Sequence, residues 1–519
     1  MSKLLPIGIQ EFPKLIREGY IYVDKTRFLY KLIREGNYYF LSRPRRFGKS
    51  LLVSTLKEIF SGNRELFSGL WIEDKIDWVA RPVIAFDFSR IAKRAEDLPQ
   101  AIELELQDIA AEFGVALTAP TNAGKLQELV QQVGAEQKVA ILVDEYDKPI
   151  IDHIADPVTA EVHREILKDL YSVIKGNDRF IAFFFLTGVS KFSHVSIFSD
   201  LNNLYDITTD RAFACMLGYT EEELWSYFPD YLAQLEAEYR DHFANIIDPI
   251  RDWYNGYSWD GKQFVFNPFS ILNLFRKRLF QDYWFSTGTP TFLIRLVRTQ
   301  NYSIFDLKNR KLDVNYFNKF EVDNIEVNSL LFQAGYLTMR DYDPVSNIVT
   351  LDFPNREVEQ SFNIHLLAEF SGRSKEQAGS ILYRLARRLE AGEVAEAVAH
   401  LREIFTQITY PNVPSAAGGL DRREYFYHSI FYLSLKLLGY NIRSEVVTAH
   451  GRIDAVIETE AFVYVIEFKV GAAETAVQQI QRRKYHEKFL GQEKKIILLG
   501  LGFDVAARNI GSYRSKVLP

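Results

Sequence analysis

The sequence predicts an α/β chain of several packed units: a parallel sheet with helices on both faces at the N-terminus, a mostly helical middle, and a smaller α/β domain at the C-terminus. Three observations lead there. Apolar runs at Tyr38–Leu41, Pro82–Phe88, Val139–Val143 and Arg179–Leu186 alternate with stretches of helical spacing, as a parallel sheet with crossover helices requires. At 519 residues the chain is too long for one core. Finally, the segment Pro411–Gly419 reads as a linker, and charge changes sign across it. Residues 420–519 hold 15 Lys or Arg against 11 Asp or Glu, about +4, so the remainder carries about −10 of the net −6.

Composition narrows the class. Hydrophobic residues make up 47% and charged residues 25%, ordinary for a globular protein. The 28 Tyr and 39 Phe are mostly core material. A single cysteine, Cys215, excludes internal disulfides and suits a reducing cytoplasm. Met1–Pro6 lacks the apolar core of a signal peptide, and runs such as Phe180–Leu186 are too short to cross a bilayer, so a cytoplasmic protein with no membrane partner is expected. The net negative charge confines any nucleic-acid contact to a local patch.

Taken in order, Thr26–Arg34 has helical spacing, with Thr26 a candidate cap. The strand from Tyr38 then runs through a turn into a helix across Arg46-Phe47-Gly48-Lys49-Ser50-Leu51, which reads as a nucleotide-binding loop. Gly48 lets the backbone approach phosphate, Lys49 brings a point charge, Ser50 offers a hydroxyl to Mg²⁺, and the N–H groups opening the helix complete the cradle. Position 43, where the pattern wants glycine, is Arg43, so a helix start by chance is the competing explanation.

A second element raises the odds. The strand Val139–Val143 ends in Asp144-Glu145, an arrangement in which Asp144 holds the phosphate-bridging Mg²⁺ and Glu145 orients or deprotonates the attacking water. An acidic pair in an ordinary loop is the plainer alternative. Past the next strand, Thr187 and Ser190 are candidates to sense a γ-phosphate, against an equally good reading as ordinary loop residues.

Beyond Lys191 the pattern turns helical, with a capping box at Thr220-Glu221-Glu222-Glu223. Tyr254, Tyr257 and Trp259 are better read as packing than as a base-stacking platform. Within 281–410, a helix followed by a strand pair around Asp343-Pro344 predicts a helical, winged-helix-like connector, and Lys375–Phe405 is amphipathic throughout.

The last domain carries a hairpin, Gly451–Ile457 and Phe462–Val470. Alternation puts Glu467 and Lys469 on one face with Asp454 across the ladder. Two carboxylates there make an oxygen-rich Mg²⁺ site, and Lys469 can position a water against a phosphodiester. A surface ion pair is the plain alternative, but the strand is apolar on both faces, where an unpartnered carboxylate is costly.

Leu5–Phe12, Tyr22-Val23-Asp24-Lys25-Thr26, Arg43-Pro44-Arg45-Arg46-Phe47-Gly48-Lys49-Ser50 and Val143-Asp144-Glu145-Tyr146-Asp147 together resemble the AAA-ATPase-like proteins that end in a PD-(D/E)XK nuclease domain. The resemblance implies a P-loop NTPase sheet with a helical lid over 1–280, a connector over 281–410 and a restriction-endonuclease-like domain over 420–519. It makes Arg43 a family trait. It casts Asp454 as the Asp and Glu467-Phe468-Lys469 as the E-x-K, adds Glu424 to the metal shell, and matches Gln479 and Tyr485 to a supporting helix, next to which Arg482, Arg483 and Lys484 could hold a phosphate backbone. ATP, Mg²⁺ (or Mn²⁺ at the nuclease site), a nucleic-acid partner, DNA before RNA, and a homo-oligomer are the expected company. The leading function is an ATP-controlled, metal-dependent nuclease. The alternatives are a nucleotide-switched binding module that does not cut, and an ATPase-derived scaffold without turnover.

Overall fold

The computed structural model describes residues 3–154, 156–191, 203–285, 293–294, 310–314, 327–406, 430–431, 433–434, 437, 441–448, 451–491, 493–504, 506–507 and 509–518, with backbone alone at 370, 441–448 and 451–453. The chain forms two compact units, one from Met1–Phe292 and Asp306–Glu359, the other from Leu293–Phe305 and Gln360–Pro519.

The first unit is built on a five-stranded parallel sheet of β1 (Tyr38–Ser42), β2 (Val83–Asp87), β3 (Val139–Asp144), β4 (Ile181–Gly188) and β5 (Tyr205–Asp206), in the order β2-β3-β4-β1-β5. Because β4 lies between β1 and β3, the phosphate-loop strand and the acidic strand end on the same edge with one strand's width between them. The central strands β1, β3 and β4 are buried along almost their whole length, which is why they read as continuous apolar runs rather than alternating ones. One face, including Phe40, Ile141, Val143, Phe184 and Leu186, packs against the helices Leu98–Glu112, Asn122–Val133 and Pro157–Gly176. On the opposite face, the Phe183 ring packs tilted against Phe60 of the helix Lys49–Phe60, with centroids 4.8 Å apart.

The helical lid has its own core. Leu224, Phe228, Leu232, Leu235, Ile250 and Phe275 come from helices Glu221–Tyr227, Pro229–Tyr239, Ile247–Tyr254 and Pro268–Lys277, and Ile21 and Val23 join them from the N-terminal segment. The capping box at Thr220 and Glu223 is present, and Glu223 also takes the buried Lys25 ammonium at 2.6 Å, tying lid to sheet domain. Thr26 is not a cap. It is the first residue of the helix Thr26–Glu35, with its hydroxyl and N–H both donated to Asp24.

The helix Val327–Gln333 is followed by the hairpin β7 (Thr338–Asp343) and β8 (Ile348–Asp352), as the winged-helix expectation required, and β6 (Arg310–Asp313) adds a third strand beside β8. The stretch Lys375–Phe405 is two helices, Lys375–Ala391 and Val394–Phe405. Gly392 breaks it with a left-handed φ of 77° where a Cβ would strike the Phe462 ring at 2.6 Å.

The second unit holds a mixed sheet in the order β13-β12-β11-β10-β9, made of β9 (Asn441–Thr448), β10 (Gly451–Glu458), β11 (Phe462–Val470), β12 (Lys495–Asp504) and β13 (Asn509–Leu518). The predicted hairpin is β10 and β11, turned by Thr459, whose hydroxyl accepts the Phe462 N–H at 3.0 Å. Both faces are covered: Val463 and Val465 pack with Ile480, Tyr485 and Phe489, while the Tyr464 hydroxyl donates to the Leu389 carbonyl at 2.6 Å. The helix Ala473–Arg482 sits so close to β12 that a Cβ on Gly500 would meet the Ala473 carbonyl at 2.5 Å. Among the described residues no helix is long and apolar enough to cross a membrane.

Candidate functional site

At the carboxyl edge of the parallel sheet, Gly48 takes a left-handed φ of 96° and starts the helix Lys49–Phe60, so the first N–H groups of that helix open into a cavity of about 630 Å³. That volume suits a nucleotide. Arg46, Phe47, Gly48, Lys49, Ser50 and Leu51 all line it, as does Glu145 from the end of β3. Lys49 is buried, and its ammonium donates to the carbonyls of Arg43 at 3.0 Å and Pro44 at 3.1 Å. Burial lowers its pKa, against the pull of Asp144, Glu145 and Asp147. Asp144 is pushed up to about 6 by burial, with the Ser50 hydroxyl and the Lys49 charge opposing. Predicted site residues from the loop after β1 and from the end of β3 therefore come close, with Asp144 itself outside the cavity lining and Lys49 satisfied by the carbonyls of its own loop.

Two side chains bordering the cavity stand in left-handed backbone conformations without being glycine: Arg46 at φ 67° and Glu145 at φ 51°. Such positions cost of order 1 kcal/mol or more and persist where the surroundings impose them.

Arg43 fills the place where the motif has glycine. Its guanidinium is fully buried, donates to the carbonyls of Ser42 at 2.9 Å, Thr208 at 2.7 Å and Phe213 at 3.3 Å, and lies 4.0 Å from the centre of the Trp259 ring. Phe47 meets Tyr257 and Trp259 edge-on at 4.8 and 5.5 Å, and the Trp284 indole donates to the Arg45 carbonyl at 2.9 Å. The aromatic residues are thus packing, and they grip the loop from outside. Arg43→Gly, which restores the glycine of the motif, should destabilise the protein by roughly 3–5 kcal/mol in denaturant unfolding, because it empties a large buried volume and strands carbonyl acceptors. An unchanged unfolding midpoint would show that the side chain is not a pillar.

Thr187 and Ser190 do not line the cavity. The Thr187 hydroxyl donates to the Leu41 carbonyl at 2.8 Å, and Ser190 gives both its N–H and its hydroxyl to Asp147, at 2.6 and 2.8 Å. Asp147 is the residue that sequence reasoning passed over. Buried, it collects the Val189 N–H as well, at 2.9 Å, and so fixes the turn after β4 to the end of β3. Its signal was visible in Asp144-Glu145-Tyr146-Asp147, but its role depends on β4 lying next to β3.

In the second unit, Ala455 pairs with Ile466, which sets Asp454 beside Glu467 at the end of the β10–β11 ladder, and an Asp454 oxygen accepts the Phe468 N–H at 2.8 Å. Glu467 shares its face with Val463 and Val465 and is 1% exposed. One of its carboxylate oxygens accepts from the Gln479 amide and lies 3.7 Å from the Lys469 ammonium. The other, Oε2, is buried with no hydrogen-bond partner among the described residues. Burial, then the nearby Asp454 charge, raises the Glu467 pKa to about 8, and Lys469 only partly offsets this. A buried carboxylate oxygen without a donor, next to a second carboxylate, is a costly arrangement that a divalent cation would satisfy, so these residues fit a metal. Asp454, Glu467, Lys469 and Gln479 are brought together. Glu424 lies outside the described residues, which contain no cluster of three or more metal-ligating side chains. Arg482, Arg483 and Lys484 are exposed at the end of the helix that carries Gln479, while Tyr485 is core.

Residues 6–198 match the family model described as Predicted AAA-ATPase, and residues 422–513 match the PD-(D/E)XK nuclease superfamily. A curated protein of Azotobacter chroococcum mcd 1, described as an uncharacterized protein in the vnfD 5' region, is 40% identical over 522 residues, which cover 98% of this chain and 98% of that relative. No solved structure matches. With the loop, the acidic strand and the E-x-K hairpin all in place, the chain belongs to the AAA-ATPase-like family, with a PD-(D/E)XK nuclease superfamily domain at its C-terminal end.

Proposed function

We propose that this protein works in the cytoplasm, binds and hydrolyses ATP in its first unit and cleaves phosphodiester bonds of DNA in its second. The observation that carries the nuclease half is the buried, unpartnered Oε2 of Glu467 beside Asp454. A domain that only gripped nucleic acid would have no use for so expensive a group.

In the first unit, Lys49 would leave the carbonyls of Arg43 and Pro44 for the β- and γ-phosphates, while the N–H groups of Gly48–Ser50 cradle the β-phosphate. Ser50 and Asp144 would hold Mg²⁺, and Glu145, facing the cavity, would take the proton of the attacking water. In the second unit, Asp454 and Glu467 would hold Mg²⁺ or Mn²⁺, which supplies Lewis acidity and an acidified water. Gln479 keeps the Glu467 carboxylate aimed inward, and Lys469 positions the water against the phosphorus. Arg482, Arg483 and Lys484 would contact the DNA backbone, giving affinity that falls with salt.

The test is plasmid, single-stranded DNA and RNA incubated with the full chain and Mg²⁺, Mn²⁺ or EDTA, with and without ATP. Metal-dependent DNA cleavage is the expected result. A chain that binds DNA yet cuts no nucleic acid under any of these conditions would replace the nuclease by a binding module.

A further inference from the structure

Six basic residues line the nucleotide cavity, Lys25, Arg45, Arg46, Lys49, Lys93 and Lys148, against one acidic residue, Glu145. Three of them are already engaged: Lys25 with Glu223 at 2.6 Å, Lys148 with Asp152 at 2.8 Å, and Lys49 with the loop carbonyls. The two loop arginines differ. The Arg46 guanidinium rests 5.1 Å from the centre of the Phe269 ring on the lid. Arg45 is exposed, and among the described residues no carboxylate pairs with it. Its backbone is nevertheless pinned, since its carbonyl accepts the Trp284 indole N–H at 2.9 Å and its neighbour Pro44 abuts Gly335, where a Cβ would come within 2.7 Å. Arg45 and Lys49 both line the cavity, on the same loop. Arg45, held on a fixed backbone in a cavity lined mainly by basic side chains and paired with no carboxylate among the described residues, marks the seat of a polyanion.

We propose that Arg45 is the transition-state arginine of ATP hydrolysis and that it acts in cis, supplied by the phosphate-binding loop itself. This rests on the ATPase reading above. In the reaction, the water oxygen forms a bond to the γ-phosphorus, the bond from that phosphorus to the β,γ-bridging oxygen breaks, and ADP departs with the electron pair. The water proton passes to Glu145. Negative charge grows on the bridging oxygen, where a planar guanidinium with several donors is better suited than another ammonium. Lys49 serves binding of the ground state, and Arg45 adds what only the transition state uses.

The experiment compares the full-length parent with Arg45→Ala and Arg45→Lys, measuring ATP turnover and, separately, binding of ADP and of ADP–aluminium fluoride. Arg45→Ala should lose about 10³-fold in turnover, the scale of removing such an arginine, with ADP affinity within about threefold and the aluminium fluoride complex greatly weakened. Arg45→Lys should recover part of both losses. Mixing Arg45→Ala with Lys49→Ala chains should restore nothing, because each chain needs both residues in one site. A parent that hydrolyses ATP with Arg45→Ala unimpaired overturns this proposal alone, and so does turnover recovered on mixing, which would place the arginine in trans. A parent that binds ADP but never hydrolyses ATP overturns the ATPase reading together with it.

Discussion

Glu467→Gln is expected to abolish DNA cleavage, by about 10³-fold or more, while making the metal-free protein more stable than the parent. The two effects share a cause. Glu467 holds a carboxylate in a nearly solvent-free position with one oxygen unpartnered, and its pKa stands at about 8 against an ordinary 4.5. The neutral amide keeps the shape with neither a buried charge nor the cost of protonating it, so it relieves a penalty that the parent sustains. It would also remove an anionic ligand of the proposed cation, on which the proposed cleavage depends. The sign of the pH dependence follows. A carboxyl whose folded pKa is raised is favoured in its protonated form, so its contribution to stability is fully present below about 4.5 and is lost as pH climbs through about 8. Metal-free parent should therefore lose stability relative to Glu467→Gln across that window, read as diverging thermal midpoints in EDTA. Mn²⁺ uptake must displace the proton, so affinity should rise with pH up to about 8 in the parent. Equal midpoints for both proteins at every pH, or undiminished cleavage by Glu467→Gln, would remove the buried carboxylate from the mechanism.

What could be read in the chain, and what could not, divides along one physical line. Short-range patterns were legible. Gly48-Lys49-Ser50 announced a turn into a helix, and the helix Lys49–Phe60 starts there. The two-residue alternation along Phe462–Val470 set Glu467 and Lys469 on a common face, and the register of β10 supplied Asp454. The aliphatic runs of β3 and β4 were recognisable because strands buried on both faces need no polar side chains. What could not be read depends on residues far apart in sequence. Arg43 looked like a defect in a glycine-rich loop because its partners, Thr208, Phe213 and Trp259, arrive from β5 onward and from the lid. Thr187 and Ser190 looked like phosphate sensors because nothing local shows that Leu41 and Asp147 take their hydroxyls. β5 has only two residues, too few for any period to register. Gly392 was hidden inside an amphipathic stretch whose apolar spacing continues on both sides of it.

Lys49→Ala and Glu145→Gln should separate binding from chemistry at the nucleotide site. Lys49 is held in place with no carboxylate bonded to it among the described residues, bridging two carbonyls of its own loop, and burial weakens its hold on its proton. A triphosphate would exchange those two neutral acceptors for charged ones, which are roughly twice as strong. Removing the ammonium should therefore raise the ATP dissociation constant by about tenfold or more, each factor of ten being about 1.4 kcal/mol, and abolish turnover as well. Glu145→Gln touches a different step. Its backbone is left-handed and its side chain lines the cavity, where it would face an attacking water but offer no attraction for phosphate. Losing its charge should leave ATP affinity equal or slightly tighter, and turnover should fall by about 10²-fold or more for want of a proton acceptor. Equilibrium binding of a fluorescent ATP analogue, set beside single-turnover hydrolysis of ATP, distinguishes the two variants. If both bind and hydrolyse like the parent, the cavity at Gly48 is not where ATP is consumed. If Glu145→Gln loses binding as severely as Lys49→Ala, Glu145 belongs to the architecture of the loop rather than to the attacking water.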